Sequence, residues 1–339
     1  MCIRDRIEAF ETASKFNPCD QANYPQEKFD KFRDYFSSYN FSYNCVSAYL
    51  TIQEGCDNFC TYCSVPASRG REVSRKFADI VDEAKYLVDH GVKEIVLLGQ
   101  NVNSYCCAEG GVTRRLSDIL YSLNELKDLK RLLYISPNPQ NMKSDLIEAH
   151  KNIKKLIPYL HLPVQSGSNR ILKAMNRPYT KEEYLEIIDK LKDARPDIVF
   201  STDIIVGFPG ETEEDFEETL DVVNKVNFVS CFYFKYSKRP ATIAANMLNQ
   251  IPEQVKDERF ARLHAIVQKQ KLAFNKKTIG SVQNVLFESI GKYDGHITGK
   301  TEYFQNVFVK NTDINLIGTE QKVRIINVNA SNMEGELVD

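Results

Sequence analysis

Three cysteines spaced C-x3-C-x2-C stand in the run Glu54-Gly55-Cys56-Asp57-Asn58-Phe59-Cys60-Thr61-Tyr62-Cys63. Thiolates are soft ligands that suit both zinc and iron–sulfur clusters, so the spacing and the supply of further partners decide between them. A structural zinc takes four protein ligands, commonly as two short pairs. Here the next cysteines, Cys106 and Cys107, lie far downstream, and no histidine comes sooner than His90. Three thiolates on a four-iron cluster leave one iron without a protein ligand, open to a small molecule. A fully coordinated zinc in a protein without catalysis is the competing reading.

The cysteine run follows an alternating apolar stretch, and from there strand-like and helix-like segments take turns. Strands are expected at 46–52, 94–98, 131–136, 159–164, 198–206 and 228–236, and helices at 78–90, 116–129, 143–150, 181–194 and 213–226. Thr180 with Glu183, and Thr212 with Asp215, have the form of capping boxes at two of the helix starts. Leu116, Ile119, Leu120, Leu123 and Leu126 recur at helical spacing and read as a buried face. Successive β/α units imply a parallel sheet with helices outside. Six are too few for eight-fold closure, so the fold class is α/β with an open partial (β/α)6 barrel. Barrel chemistry gathers in the loops after the strands. There the sequence places the cysteines, Gly99-Gln100-Asn101, Ser136-Pro137-Asn138-Pro139, Gln165-Ser166-Gly167-Ser168, Gly207-Phe208-Pro209-Gly210 and Ser237-Lys238-Arg239-Pro240.

A long polar helix, 252–277, carries Phe260, Leu263, Ile266 and Val267 on one side and is expected to pack across the open barrel. Its Lys256, Arg259, Arg262, Lys269, Lys271, Lys276 and Lys277 read as a solvated face or as phosphate contacts. Beyond Gly280 the segments 282–287, 296–298, 306–309 and 322–328, punctuated by Gly291, Gly295, Gly299 and Gly318, predict a small antiparallel barrel.

The 339 residues suffice for one large and one smaller domain, and 42% hydrophobic with 27% charged residues is ordinary for a globular protein. A net charge of −2 does not by itself announce nucleic-acid binding, so any such contact must be a local patch. No apolar run approaches a membrane span, and the N-terminus lacks a signal-peptide core. Nine cysteines do not form the pattern of a disulfide framework, which fits a reducing cytoplasm. Cys2, Cys19 and Cys45 read as incidental thiols, Cys106-Cys107 as a loop pair without a convincing partner, and Cys231 as core. Residues 1–44 read as an irregular connecting segment.

The cysteine spacing, with the aromatic Tyr62 before the last cysteine, resembles the signature of radical S-adenosylmethionine enzymes. Four longer runs narrow this: Gly55-Cys56 to Arg69-Gly70, Leu97-Leu98-Gly99-Gln100-Asn101-Val102-Asn103, His161-Leu162-Pro163-Val164-Gln165-Ser166-Gly167-Ser168 and Ile205-Val206-Gly207-Phe208-Pro209-Gly210-Glu211-Thr212. From about Val46 to its C-terminus the chain is similar to the methylthiotransferases that modify isopentenylated adenosine in tRNA. The resemblance implies that Cys56, Cys60 and Cys63 hold a 4Fe–4S cluster whose open iron chelates S-adenosyl-L-methionine. Reduction by a donor such as flavodoxin or ferredoxin then gives a 5′-deoxyadenosyl radical. The product implied is a methylthio group at C2 of N6-isopentenyl(dimethylallyl)adenosine beside the anticodon. An aromatic C–H is too weakly acidic for a side-chain base, so no side chain is expected to be catalytic and the protein positions the cofactor.

Expected cofactor contacts are Tyr62, the consecutive amides after Gly99 (Gln100 and Asn101), Gln165 and Ser166, and Gly207 and Gly210, which in the superfamily run past the adenine. Each competes with a plainer reading as turn or loop cap. Lys238 and Arg239 read as a substrate-phosphate clamp or a surface pair, and His161 as a functional or a core histidine. The C-terminal barrel resembles the TRAM domain that binds RNA. The implied division is a linker remnant at 1–44, a radical S-adenosylmethionine core at 45–276 and a TRAM-type domain at 277–339, in a cytoplasmic monomer that meets no membrane.

Two runs depart from the family pattern. Tyr134-Ile135-Ser136-Pro137-Asn138-Pro139 lacks a histidine usual there, and Ala241 in Arg239-Pro240-Ala241-Thr242-Ile243 stands where the family has glycine. In the family a further domain with three cysteines and a second cluster precedes this region. It is expected to be missing here, leaving a chain that cleaves the cofactor without completing sulfur insertion. Sibling enzymes act on threonylcarbamoyladenosine in tRNA or on a ribosomal protein; the runs Leu98 to Asn103 and Phe234 to Ser237 favour the isopentenyladenosine branch. The zinc alternative is a non-catalytic RNA-binding protein.

Overall fold

In the computed structural model, which describes residues 45–338 apart from Asp294 and Asn311, alternation along the first strand separates two faces. In β1 (Ser47–Thr51) Ala48 and Leu50 are buried with Ile52 beneath the helices, while Tyr49 points the other way and is exposed. The expected linker 1–44, with Cys2 and Cys19, lies outside the described residues.

β1 pairs in parallel with β2 (Glu94–Leu98), and β2 with β3 (Arg131–Tyr134). A second parallel group joins β4 (Tyr159–His161), β5 (Val199–Val206) and β6 (Ser230–Lys235). A parallel bridge between Leu132 and Leu156 links the two groups. The strands therefore follow chain order, and β1 and β6 remain unpaired edges among the described residues, as an open six-unit barrel requires. Helices α1 (Phe77–Asp89), α2 (Leu116–Asn124), α3 (Ser144–Asn152), α4 (Lys181–Ala194) and α5 (Glu213–Val226) clothe the convex face. Both expected capping boxes form, at Thr180 and Thr212.

α2 ends five residues before the expected limit. Lys155 Nζ donates to the carbonyls of Asn124 and Leu126 at 2.7 and 2.5 Å, satisfying acceptors that another helical turn would have used. Sequence reading also passed over a hairpin after β2, Cys106–Glu109 with Val112–Arg115, whose Gly110-Gly111 turn has positive φ at both positions. Cys106 there is disulfide-bonded, contrary to the unpartnered pair expected, while Cys107 is a buried free thiol.

α6 (Glu253–Lys277) does not cross the opening of the barrel. Its apolar stripe, Phe260, Leu263, Ile266 and Val267, packs with Cys231 and Tyr233 on the outer face of β6, because those are the side chains that alternate outward. The phosphate reading of its basic residues fails at three positions: Arg259 pairs with Glu211 and Glu213, Arg262 with Glu213 and Glu217, and Lys256 with Glu253.

The small barrel closes from β7 (Val282–Ile290), β8 (Ile297–Thr301), β9 (Asn306–Val309), β10 (Glu320–Val328) and β11 (Met333–Leu337), in the order β7-β8-β9-β11-β10. Its pairings are antiparallel except at the β9–β11 seam, where they are parallel; β11 was not anticipated. Val285, Phe287, Ile297, Val307, Val323 and Ile325 fill it.

The two barrels are joined through Arg131 of β3. Its side chain, only 2% exposed, donates to Glu320 Oε1 at 2.9 Å and to the carbonyls of Lys300 and Asn284 at 2.7 and 3.0 Å. Beside it Phe304 stacks on Tyr159 at 5.2 Å, capping the apolar patch of Val96, Leu133 and Ile157 on the concave face. Arg131→Leu leaves two carbonyls and Glu320 without their donor and is expected to cost about 2–4 kcal/mol. Calorimetry should then show the small barrel melting in a separate, earlier transition.

Candidate functional site

The cysteine loop rises from β1 and is pinned by groups from neighbouring strand ends. Gln53, fully buried, donates to the Gly55 carbonyl at 2.7 Å and accepts from the Asn101 backbone N–H at 3.2 Å. Gln100 Oε1 accepts from the Gly55 N–H at 2.6 Å. A two-residue ribbon, Gln53–Glu54 against Val73–Ser74, closes the base of the loop, and Arg71 makes a two-pronged pair with Asp57 at 2.6 and 3.2 Å. Gly99 is required here: a Cβ would lie 2.6 Å from Gln53 Oε1 and 3.0 Å from the Val102 Cα. Thus the expected contacts Gly99, Gln100 and Asn101 sit together at the mouth, with the Gln100 amide and the Asn101 backbone bonded to the loop that carries the thiols.

The far side of the loop is fastened to the segment after β4. Thr61 donates from its N–H to the Met175 carbonyl at 3.0 Å and from its hydroxyl to that of Ala174 at 2.9 Å. Asn176 Nδ2 donates to the carbonyls of Asn58 and Phe59 at 3.1 and 3.2 Å. Tyr62 stands edge-on to Phe208 at 6.4 Å within the cluster of Ile171, Met175 and Tyr236, so it joins the cysteine loop to the Gly207–Gly210 loop.

The thiols share one environment. Asn58 Nδ2 donates to Cys56 Sγ at 3.4 Å, the Val65 N–H to Cys63 Sγ at 3.4 Å, and Arg177 Nη1 to Cys60 Sγ at 3.8 Å. Burial pushes the Cys56 thiol up to about 12, with Glu72 and the other two cysteines adding to it, and burial likewise raises Cys63. Arg177 is opposed by burial, yet Tyr179, Tyr62, Cys60 and Cys56 outweigh that and hold it protonated. Its Nε has no partner. A cation facing three sulfurs, with a donor in reserve, suits an anionic centre ligated by three thiolates.

The other expected residues line the same rim. Gln165 has φ of 69° and pairs backbone with β5 through the Asp203 carbonyl and the Ile205 N–H. The Ser166 hydroxyl lies 3.4 Å from Thr219 Oγ1 and accepts from the Ser168 N–H, which is a loop-capping arrangement. Gly207 and Gly210 both have positive φ, and a Cβ at Gly207 would meet the Lys256 side chain at 2.4 Å. Lys238 and Arg239 are exposed at the mouth of β6. Asn138, at the first departure, exchanges two bonds with Asn103 at 2.7 and 2.9 Å and caps the turn Pro139–Asn141. Ala241, at the second, has φ of 67°, the conformation that glycine adopts freely.

Sequence reading missed Gln53, Asn58, Glu72 and Arg177. The signal for Glu72 was an acid flanked by basic and apolar residues in Arg71-Glu72-Val73; nothing local marked Arg177. Glu72 is pushed up to about 7, chiefly by burial, although Ser104 and Asn101 donate to it.

A family model described as the radical SAM superfamily matches residues 50–223, and one described as the TRAM domain matches residues 276–338. The chain is similar to the tRNA-2-methylthio-N(6)-dimethylallyladenosine synthase of Rickettsia conorii, with 48% identity over 295 residues that cover 86% of this chain and 66% of that one. The enzyme of the same name from Bartonella bacilliformis is 49% identical over 292 residues, covering 86% of this chain and 63% of its own. The chain therefore spans somewhat less than two thirds of the length of these relatives. Among solved structures, coproporphyrinogen III oxidase from Escherichia coli superposes with a TM-score of 0.50 at 14% identity, covering 80% of this chain and 70% of that one, a likeness of fold.

Two substitutions test the site's energetics. Since the folded-state pKa of Glu72 lies above the ~4.3 of an exposed glutamate, the native state holds the extra proton between these values and loses stability as pH rises through that window. Glu72→Gln should equal the wild type near pH 4 and exceed it by about 1–3 kcal/mol at pH 8 in denaturant titrations. Ala241→Gly should relieve the left-handed backbone and raise stability by up to about 1 kcal/mol.

Proposed function

Because the chain belongs to the radical SAM superfamily, we propose that it is a tRNA-modifying methylthiotransferase whose target is N6-dimethylallyladenosine. The observation that carries this reading is the group of three thiols on one loop, each with its own N–H donor, facing Arg177. Cys56, Cys60 and Cys63 hold one 4Fe–4S cluster, and the cluster with S-adenosyl-L-methionine supplies a carbon-centred radical able to attack an unactivated C–H bond. The protein's part is placement. Arg177 balances the charge of the ligated sulfurs, and burial keeps bulk water from Cys56, while Cys60 and Cys63 stay partly exposed. Tyr62 and the Gly207–Gly210 turn form the side of the rim suited to an adenine. Gly99, Gln100, Asn101, Gln165 and Ser166 supply backbone and amide groups for the polar end of the cofactor.

The relatives' shared name supports the dimethylallyladenosine substrate over threonylcarbamoyladenosine or a ribosomal protein. Lys238 and Arg239 at the mouth, and the small barrel docked at the opposite end of the strands through Arg131, are the surfaces assigned to tRNA backbone, in keeping with the domain model matched to the small barrel. Flavodoxin or ferredoxin is the class of electron donor, and a monomer in the cytoplasm is the working state. Among the described residues no helix is long and apolar enough to cross a membrane.

Anaerobic reconstitution tests the reading. About four irons per chain should bind to these thiols, with the charge-transfer colour of an iron–sulfur protein. Alanine at Cys56, Cys60 or Cys63 should abolish both the colour and the formation of 5′-deoxyadenosine. A colourless protein that takes zinc stoichiometrically would overturn it.

A further inference from the structure

Each thiol of the cysteine loop meets an N–H donor, and these donors differ in how their orientation is secured. The Val65 donor is backbone, and the Arg177 guanidinium has only N–H groups to present. Asn58 is different. Its amide ends in an oxygen and a nitrogen of nearly equal size, and only the nitrogen favours an electron-rich sulfur. Turned over, the same side chain would set an oxygen against Cys56.

What fixes the amide comes from the loop after β3. Gln140 Nε2 donates to Asn58 Oδ1 at 2.7 Å, which leaves Asn58 Nδ2 to face Cys56 Sγ at 3.4 Å. Gln140 is held in turn. Its backbone N–H donates to Asn138 Oδ1 at 3.3 Å, and the Asn141 N–H closes the turn on the Asn138 carbonyl at 3.0 Å. Asn138 is bonded to Asn103 through its own N–H at 2.7 Å and its carbonyl at 2.9 Å. Asn103 lies in the short turn Val102–Ser104 beyond β2, so the bonds run from that loop through the next to the thiols. From the other side Asn176 Nδ2 grips the Asn58 carbonyl at 3.1 Å. Every member of this relay is an uncharged amide. Asn138, in the run that departs from the family pattern, caps the turn that presents Gln140.

Adding one electron to a cluster on three thiolates adds one negative charge and breaks no bond. An N–H aimed at a ligated sulfur stabilises that charge and so raises the reduction potential. An amide oxygen in its place does the opposite. Resting on the cluster assigned in the methylthiotransferase reading, we propose that Gln140 is a positioning residue for the iron–sulfur centre. By fixing the Asn58 amide it keeps an N–H on Cys56 and raises the reduction potential of the cluster. Gln140 is exposed at the rim, and its effect on Cys56 passes through Asn58.

The test is a potentiometric titration of the anaerobically reconstituted chain, with dithionite as reductant and the spin signal of the reduced cluster as readout. Asn58→Ala removes the amide. At a fixed potential its reduced-to-oxidised ratio should fall by about 3–10-fold, the scale of one net hydrogen bond, where tenfold corresponds to about 59 mV for one electron. The backbone N–H of Asn58 bears on the same sulfur and stays in every variant, so only the side-chain contribution changes. Gln140→Leu should lower the ratio by about 2–4-fold. In the Asn58→Ala background it should add nothing, because the amide it orients is gone. Asn58→Asp keeps the shape and exchanges the donor for a charged acceptor, so its ratio should fall at least as far as that of Asn58→Ala. Iron should remain at about four per chain in Gln140→Leu, a result that distinguishes orientation from collapse of the loop. If Gln140→Leu leaves the ratio unchanged, shifts it equally with and without the Asn58 amide, or sheds the cluster, the proposal is overturned and the cluster assignment stands. If the wild type takes up no iron–sulfur cluster, the proposal and the methylthiotransferase reading fall together.

Discussion

The structure turns on a single fully buried amide. Gln53 bonds both the loop after β1 and the loop after β2, and its only way to do so is through space that Gly99 leaves empty. A buried amide with unmet bonds is costly, so the two loops are not independently adjustable. Because Gln100 reaches back to Gly55 as well, the chain carrying the thiols is held by protein groups on both sides. Preorganisation of this kind matters most where the protein's task is to place a reactive group and not to react itself.

Charge around the thiols follows from the same burial. Each sulfur that ionises in a poorly solvated loop needs compensation, and the described residues provide it through N–H donors at Cys56 and Cys63 and through Arg177 at Cys60. Arg177 comes from beyond the short helix Asn169–Ala174, the same segment whose end anchors Thr61. Position and electrostatic balance are thus delivered together, and a change that loosened that helix would disturb both.

Local patterns in the chain made much of this readable. Strand alternation, helix spacing and two capping boxes depend on neighbours a few residues apart, and they located the β/α units and the rim to within a few residues. The Gly110-Gly111 hairpin was equally local and was simply passed over. Other features depend on partners distant in sequence. Nothing near Arg131 announces that its acceptors are carbonyls of Asn284 and Lys300. The amides of Gln100 and Asn101 were noticed as unusual, but which groups they meet is set by how two loops cross. For the same reason α6 was recognised as a helix with an apolar stripe while its seat was misjudged. The stripe says that a surface is needed, and only the outward alternation of Cys231 and Tyr233 says which one.

Two of the three bonds that fasten Arg131 to the small barrel end on main-chain oxygens. Main-chain acceptors do not change when side chains do. The small barrel can therefore exchange most of its surface side chains while its docking onto the larger unit stays the same. The joint behaves as a standard fitting, indifferent to the identity of the tool it carries.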